Sequence, residues 1–473
     1  MVHMLIIIAY ILGVIAFGLY VSKKKVKNAE DMVVGGRKLP LIVLVGTLLA
    51  TWCGGGGITG SASVVYSGGP GVGTLHFIGA PIGILLLYFI AGKVRKTEKI
   101  TIPEILEEKY GKLAAILGVA CIVLAYVGIV ATQTKAAANI INLLTGIDLT
   151  TGMIIAAAII ILLTVTGGMV SVAYTDALSA FLMVGGFLLA VPVLFKAAGG
   201  VAAVGAGLEA VGKHTLTGGL SPIVIVGYMV PTIALLLGDQ NMMQRFASAK
   251  DEGTAKKSNM GMFVAEVVVC ALIILVVTAG IVLEPEVEVS ANIIFILAQK
   301  YLPTLIGGLV LAACVAFIIT TANSFLLSAT TNLTYDIWKR YMKKDATDKQ
   351  EVTFLRVTMV ILAIFAVALT LFLPDLLTLQ LTAYTMYGAT ITPALLFALF
   401  SKKVTKPAGV AGIVVGAVVT ALWSLQNVAA SGLLNLGFAT LTFPVGIQPA
   451  VIAVPLAVAA ILLTTLVTKK KEN

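Results

Sequence analysis

Ala50-Thr51-Trp52-Cys53-Gly54-Gly55-Gly56-Gly57 decides the fold, because four consecutive glycines interrupt a segment otherwise apolar enough to cross a bilayer. No charged residue occurs from Leu39 to Leu75. Each glycine inside a helix costs roughly 1 kcal/mol relative to alanine, and non-helical backbone at membrane depth persists only where it is buried in protein or lines a cavity. The tract predicts a broken spanning helix whose freed backbone groups bind an ion or a solute. Close packing of a neighbouring helix against small residues is the alternative.

Composition places the chain in a membrane. Hydrophobic residues make up 59% of its 473 residues and charged residues only 11%, whereas soluble globular domains carry about 25% charged residues. Uncharged apolar stretches long enough to span a bilayer recur along the whole length, which predicts a polytopic membrane protein. We predict about 13 transmembrane helices, near 4–22, 41–66, 71–92, 113–142, 150–166, 170–195, 217–238, 259–283, 303–337, 353–373, 377–400, 407–425 and 447–467.

The distribution of basic residues predicts the orientation. If the N-terminus lies outside, all of the 32 Lys and Arg fall in or beside cytoplasmic connections except Lys135, Lys196, Lys213 and Lys300. The positive-inside rule then places the C-terminus in the cytoplasm of a multi-pass protein of the cell membrane. Because the basic runs set topology, we expect the lipid bilayer as partner, with no nucleic acid and no obligate protein partner.

Motifs of other function classes are missing from the sequence. No Gly-x-x-x-x-Gly-Lys-[Ser/Thr] motif occurs, so ATP-driven transport is not expected. No paired catalytic groups or soluble output domain is visible, and we do not expect an enzyme. An ion channel, the alternative from another class, needs a continuous polar lining, whereas the hydroxyl-bearing residues here concentrate at one depth.

A second interrupted span lies five helices after the first. The segment at 217–238 carries Gly227, Pro231 and Gly238 within an apolar stretch. Two broken spans in corresponding positions are typical of transporters built from an inverted repeat. We therefore expect one transmembrane domain over 1–473 that consists of a leading helix (4–22), two five-helix repeats (41–195 and 217–400) and two trailing helices (407–467).

Polar side chains within the spans mark candidate sites, because each is expensive in a bilayer. Thr320-Thr321-Ala322-Asn323-Ser324 gives one helix an oxygen-rich face that suits a small hard cation, unless each hydroxyl bonds back to its own turn. Asp176 either completes a second cation site or is solvated at a span end. Because Asp176 and Glu266 could both titrate, proton coupling is an alternative to sodium coupling. Asp239 is expected to pair locally with Arg245, with a role facing the solute cavity as the alternative.

Several of these stretches resemble the sodium:solute symporter family, which includes proline, choline, galactose, sialic acid and pantothenate carriers. The order and spacing of the stretches carry the resemblance more than any one of them. They are Gly35-Gly36-Arg37-Lys38-Leu39-Pro40, the glycine tract with Ala50-Thr51-Trp52, Thr101-Ile102-Pro103-Glu104, the run from Gly167 to Asp176, Gln244-Arg245, and Thr320 to Ser324 leading to Asp336-Ile337.

The resemblance implies an all-α, LeuT-type fold with a 5+5 inverted repeat and sodium-driven uptake by alternating access. It implies Na+ as the coupling ion. A first sodium site then falls on the carbonyls of Ala50, Cys53 and Phe317 and on the hydroxyls of Thr320 and Thr321. A second site, present in some members, falls on Asp176, Asn323 and Ser324 with Thr320.

The resemblance leaves the solute open. Ala50-Thr51-Trp52 and the run ending in Asp176 look like the choline-transporting branch, where Trp52 would face a quaternary ammonium, but Asp239 stands where that branch has a tryptophan. Helix packing is the alternative role for Trp52. We predict a small-molecule substrate, an amino acid or amine such as a proline-like or choline-like compound, bound by Trp52, Gln133, Asp239 and Tyr384. A vitamin, a sugar or a carboxylate remains an alternative solute.

Overall fold

Helices form the regular structure in the computed structural model, which describes residues 2–25, 29–370, 376–430 and 447–469. Over these ranges the only strand-like pairing is an isolated bridge between Leu39 and Ala249. A helix satisfies its backbone groups within one segment, which apolar surroundings require. The all-helical prediction is confirmed.

Over residues 2–25 and 29–210 the structure has nine α-helices and one π-helical turn at Gly56–Gly60. The helices are α1 (Val2–Lys25), α2 (Ala29–Val34), α3 (Leu41–Trp52), α4 (Ser61–Phe77), α5 (Gly79–Thr97), α6 (Ile102–Tyr110), α7 (Lys112–Thr145), α8 (Leu149–Ala197) and α9 (Val201–Ala210).

Over residues 222–370, 376–430 and 450–469 it has a further nine α-helices and a π-helical extension at Asn332–Met342. These are α10 (Pro222–Gly238), α11 (Gln240–Ala247), α12 (Glu252–Leu283), α13 (Ile293–Lys300), α14 (Thr304–Thr331), α15 (Asp348–Thr370), α16 (Leu376–Phe400), α17 (Lys406–Ala430) and α18 (Ala450–Lys469).

Eleven helices in the described ranges are long and apolar enough to cross a membrane, so the predicted count of thirteen is not confirmed. Two backbone breaks account for the difference. The span predicted at 41–66 is divided at the glycine tract, which leaves Leu41–Trp52 as a short helix. The span predicted at 150–166 ends where Gly168 breaks α8 with φ 72°, which leaves Leu149–Val165, also shorter than 18 residues.

Burial separates central helices from lipid-facing ones. In the most apolar 18-residue stretch of the span that contains α14, 83% of the residues are buried, whereas in that of α1 the share is 22%. Large apolar side chains, among them Phe89, Phe181 and Leu463, point outward on the peripheral helices. At the centre, α14 packs against α3, α7 and α8. The hydroxyl-bearing helix therefore meets the broken helix in the middle of the molecule.

Of the three residues predicted to interrupt the second span, Gly238 lies at the break, which continues at Asp239, whereas Gly227 and Pro231 do not interrupt the helix. Helix α10 continues through both residues and ends at Gly238. Asp239 is extended, with φ −67° and ψ 119°, and caps α11 because its side chain accepts the Asn241 N–H at 3.0 Å. An N-terminal cap of this kind stabilises a helix start, so the break forms where the cap residue stands.

Candidate functional site

The glycine tract releases two carbonyl groups at the end of α3. In an unbroken helix the N–H groups of Gly54 and Gly55 would bond to the carbonyls of Ala50 and Thr51. Here Gly54 N–H donates to Trp52 O at 3.0 Å, and Gly55 N–H donates to the side-chain Oε1 of Gln133 at 2.5 Å. The carbonyls of Ala50 and Thr51 therefore lose their helical donors.

One released carbonyl meets the hydroxyl-bearing face of α14. Thr321 Oγ1 donates to Ala50 O at 2.8 Å, and Thr320 Oγ1 donates to Phe317 O at 3.3 Å. A Cβ added at Gly54 would lie 2.6 Å from Thr321 Oγ1, closer than real contacts allow. Only glycine at this position lets the two helices approach so closely.

Four of the five residues predicted for the first sodium site thus form two bonded pairs, Ala50 with Thr321 and Phe317 with Thr320. The fifth, Cys53, is the first residue beyond α3, with non-helical φ −84° and ψ 64°. Its carbonyl stays a predicted ligand. Carbonyl and hydroxyl oxygens at a helix crossing are the donor set that a small hard cation accepts.

The acidic residue predicted for the second site is paired with an arginine. Arg245 Nη2 lies 3.4 Å from Asp176 Oδ2 and donates to Ser324 Oγ at 2.7 Å. Thr47 Oγ1 donates to the same Asp176 oxygen at 2.5 Å and accepts from Arg245 Nε at 2.9 Å. Both charged side chains are at most 1% exposed, and a buried charge needs such partners.

This arrangement corrects two expectations. The local pair of Asp239 with Arg245 is wrong, since Arg245 reaches Asp176 on α8 instead. The residues of the second sodium site do not converge on one point, because the Asn323 amide contacts Thr164 Oγ1 at 2.7 Å and the guanidinium stands between Asp176 and Ser324. The positive charge beside Asp176 is part of the protein.

Asp239 and Gln133 were both predicted to bind the solute, but in the structure their side chains contact other parts of the protein. The Asp239 carboxylate accepts the hydroxyl of Tyr126, whose ring stacks on Tyr387 with centroids 5.2 Å apart. Tyr387 OH in turn accepts the Gln240 N–H at 3.0 Å. Asp239 therefore anchors the start of α11 to α7 and α16. Gln133 caps the glycine tract, as described above.

The other two predicted solute residues do meet. The rings of Trp52 and Tyr384 lie 5.7 Å apart at an interplanar angle of 31°. They line a cavity of about 30 Å³ beside the glycine tract, which is room for one or two water molecules. His76, Gln380, Ser61 and Thr232 supply its polar lining. A solute therefore requires these helices to move apart.

Three polar residues around Trp52 were not predicted to bind solute. Trp52 Nε1 donates to Glu266 Oε1 at 3.1 Å, and Glu266 is 2% exposed. Gln380 Nε2 donates to Tyr384 OH at 2.9 Å, and His76 Nε2 lies 2.9 Å from Ser61 Oγ. Two of the three carry a sequence signal: Glu266 is an acidic residue within a predicted span, and the spacing of four residues between Gln380 and Tyr384 places both on one helix face.

Two broken helices around a small cavity at the centre of a helical membrane protein are typical of ion-coupled secondary transporters. The sequence profile of the Sodium:solute symporter family matches residues 32–416. The chain therefore belongs to the sodium:solute symporter family.

Individual proteins that this chain resembles are also transporters. The chain is 26% identical over 443 residues to the osmoregulated proline transporter OpuE of Bacillus subtilis (strain 168), covering 89% of this chain and 88% of that one. It is 27% identical over 410 residues to the high affinity choline transporter 1 of Homo sapiens, covering 82% and 70%.

A solved structure supports the fold. The substrate-bound, outward-open structure of a Na+-coupled sialic acid symporter superposes with a TM-score of 0.82 at 20% identity, covering 99% of this chain and 98% of that chain. The predicted LeuT-type fold is confirmed.

Proposed function

We propose that this protein couples the inward movement of Na+ to the uptake of a small organic solute, an amino acid or an amine, by alternating access. The observation that carries the proposal is the contact between the released Ala50 carbonyl and the Thr321 hydroxyl. This contact brings together two neutral oxygens, one from α3 in the first repeat and one from α14 in the second. Such oxygens bind a cation strongly enough to order the helices and weakly enough to release it.

The proposed sodium site consists of the carbonyls of Ala50, Cys53 and Phe317 and the hydroxyls of Thr320 and Thr321. A threonine hydroxyl has one proton and two lone pairs, so Thr321 keeps an oxygen lone pair for the ion while it donates to Ala50. Sodium would then join α3 to α14, and its departure toward the cytoplasm would let the helices separate. The opposite orientations of the two repeats in the membrane, with the N-terminus outside, belong to this proposal.

We propose a single sodium ion per solute. The second site that the family resemblance implies includes Asp176, whose carboxylate here contacts Arg245. A sodium ion beside Asp176 would have to share the carboxylate with a guanidinium fixed by Ser324 and Thr47. Repulsion between the two cations disfavours that arrangement.

Proton coupling is the second candidate, and one observation favours it. Glu266 is buried next to Trp52, and its Oε2 has no hydrogen-bond partner. A carboxyl group in such a place can take up and release a proton as the cavity opens and closes.

Uptake into proteoliposomes under separately imposed sodium and pH gradients decides between the two. A thermal-shift screen of amino acids and amines, with and without sodium, first identifies the solute to be radiolabelled. We expect accumulation above the outside concentration when only the sodium gradient is imposed. Accumulation driven by the pH gradient alone would show that protons, and not sodium, drive uptake. Uptake that stops when the solute concentrations inside and outside are equal would indicate a channel.

A further inference from the structure

The cavity between Trp52 and Tyr384 contains two buried polar side chains with one unused atom each. His76 is 8% exposed and Gln380 is 7% exposed. His76 Nδ1 and Gln380 Oε1 have no hydrogen-bond partner. Buried polar atoms are nearly always partnered, so two such atoms lining one cavity indicate a ligand with complementary groups.

The unused atom of Gln380 is an acceptor. Its Nε2 donates to Tyr384 OH at 2.9 Å, which orients the amide. Its oxygen lies against the glycine-rich turn, 3.0 Å from the position of a Cβ added at Gly60. An amide oxygen can only accept hydrogen bonds.

The unused nitrogen of His76 is a second polar group that a ligand could contact. Ser61 Oγ lies 2.9 Å from His76 Nε2 and 3.3 Å from Gly56 O, and a serine hydroxyl has a single proton. If that proton points to Gly56, Nε2 carries the ring proton and Nδ1 is an acceptor. If it points to Nε2, Nδ1 carries the ring proton and is a donor.

The surroundings favour positive charge. The rings of Trp52 and Tyr384 present two aromatic faces, and cations are attracted to such faces. The indole N–H donates to the Glu266 carboxyl group, which makes the ring more electron-rich. No lysine or arginine is among the described residues that line the cavity.

We propose that this cavity selects a solute whose ammonium group retains N–H bonds, a primary or secondary amine or an imino acid, over a fully N-methylated ammonium. An N–H group of the solute would donate to Gln380 Oε1 while the charge rests against Trp52. The inference rests on the proposed function only in taking this cavity as the solute site.

The size of the preference follows from the Gln380 acceptor. A site that hydrogen-bonds an N–H group discriminates against an analogue without it, because its buried acceptor is left unpaired. One unpaired acceptor corresponds to about a tenfold loss in affinity. Complete methylation should therefore weaken binding by about tenfold.

Two methylation series test the preference on the full-length protein at fixed sodium concentration. One runs from proline through N-methylproline to N,N-dimethylproline, the other from ethanolamine to choline. Dissociation constants come from ligand-dependent thermal stabilisation. We expect affinity to fall most at the step that removes the last N–H. Choline or N,N-dimethylproline binding as tightly as its parent would overturn the proposal, and so would the absence of binding in both series.

A pair of variants at one position ties the preference to its acceptor. Gln380→Leu should reduce the ratio of parent to methylated affinity about tenfold, whereas Gln380→Glu, which keeps an acceptor, should preserve it. An unchanged ratio in Gln380→Leu would contradict the assignment. If uptake proves independent of sodium while the methylation order holds, the coupling proposal fails and this one stands.

Discussion

The two helix breaks of this protein differ in what satisfies the backbone. We call residues 52–57 the glycine break and residues 238–240 the Asp239 break. At the glycine break, the freed carbonyl of Ala50 is met by a hydroxyl from another helix. At the Asp239 break, the chain caps its own helix with the Asp239 carboxylate, and two tyrosines close the junction.

The difference teaches that an interrupted helix is not by itself a binding site. At the Asp239 break the backbone N–H groups are satisfied within the protein, and the break serves as a joint. The glycine break has no side chain of its own to cap it, so its carbonyls remain available to groups on other helices and to an ion. Substitutions at and beside the two breaks should therefore have different effects, and Arg245, which follows the Asp239 break, contacts Thr47 on α3.

Arg245→Met should have the largest effect on stability. It leaves Asp176 buried without its cation, and breaking such a pair by removing one partner costs about 3–5 kcal/mol. Thermal unfolding in detergent measures the loss. The double variant Arg245→Met with Asp176→Asn should recover most of it, because no uncompensated charge remains. A single variant as stable as the unmodified protein would show that the pair is not structurally required.

Gly54→Ala should disable the glycine break. The added methyl group overlaps Thr321 and Gln133, and overpacking of this kind costs about 1–3 kcal/mol. Because the strain falls on the proposed ion ligands, we expect the half-saturating sodium concentration for uptake to rise about tenfold or more.

Gly185→Ala on α8 is the matched control for Gly54→Ala. A Cβ at Gly185 meets nothing within 4 Å, so sodium dependence should not change. Equal behaviour of the two variants would indicate that the glycine tract serves general packing only.

Asp239→Asn should have the smallest effect. An asparagine oxygen can still accept from Tyr126 and from the Asn241 N–H, so the expected loss is about 1 kcal/mol or less. The half-saturating sodium concentration should stay the same. A shift as large as that of Gly54→Ala would mean that the Asp239 break also takes part in ion binding, and the contrast between the breaks would be lost.

Local signals in the sequence predict much of this architecture. Hydropathy predicts the helices, and the Gly54 to Gly57 run predicts a break because glycine lacks the side chain that favours helix. The contact of Ala50 with Thr321 follows from the family resemblance, which pairs two segments that are 271 positions apart. Composition alone contains no such pairing.

Contacts between distant helices are where sequence reasoning fails. Proximity along the chain suggests Asp239 as the partner of Arg245, yet packing of α11 against α3 and α14 brings the Arg245 guanidinium to Asp176 on α8. His76 and Gln380 lie on different helices, 304 positions apart in sequence. Nothing local marks them as neighbours, and the atoms that they leave without hydrogen-bond partners follow from the packing of their helices.

Direct binding of radioactive sodium to the purified protein tests the central claim, that the glycine break and α14 hold the coupling ion. Thr321→Val removes the hydroxyl that meets Ala50 and keeps the side chain's shape. Thr330→Val is the matched control, because its buried hydroxyl bonds only to carbonyls of its own helix. We expect saturable binding of one sodium ion per chain. Thr321→Val should weaken this binding about tenfold or more, and Thr330→Val should leave it unaffected. Saturable binding that Thr321→Val leaves unchanged would contradict the assignment of the ion to the glycine break and α14.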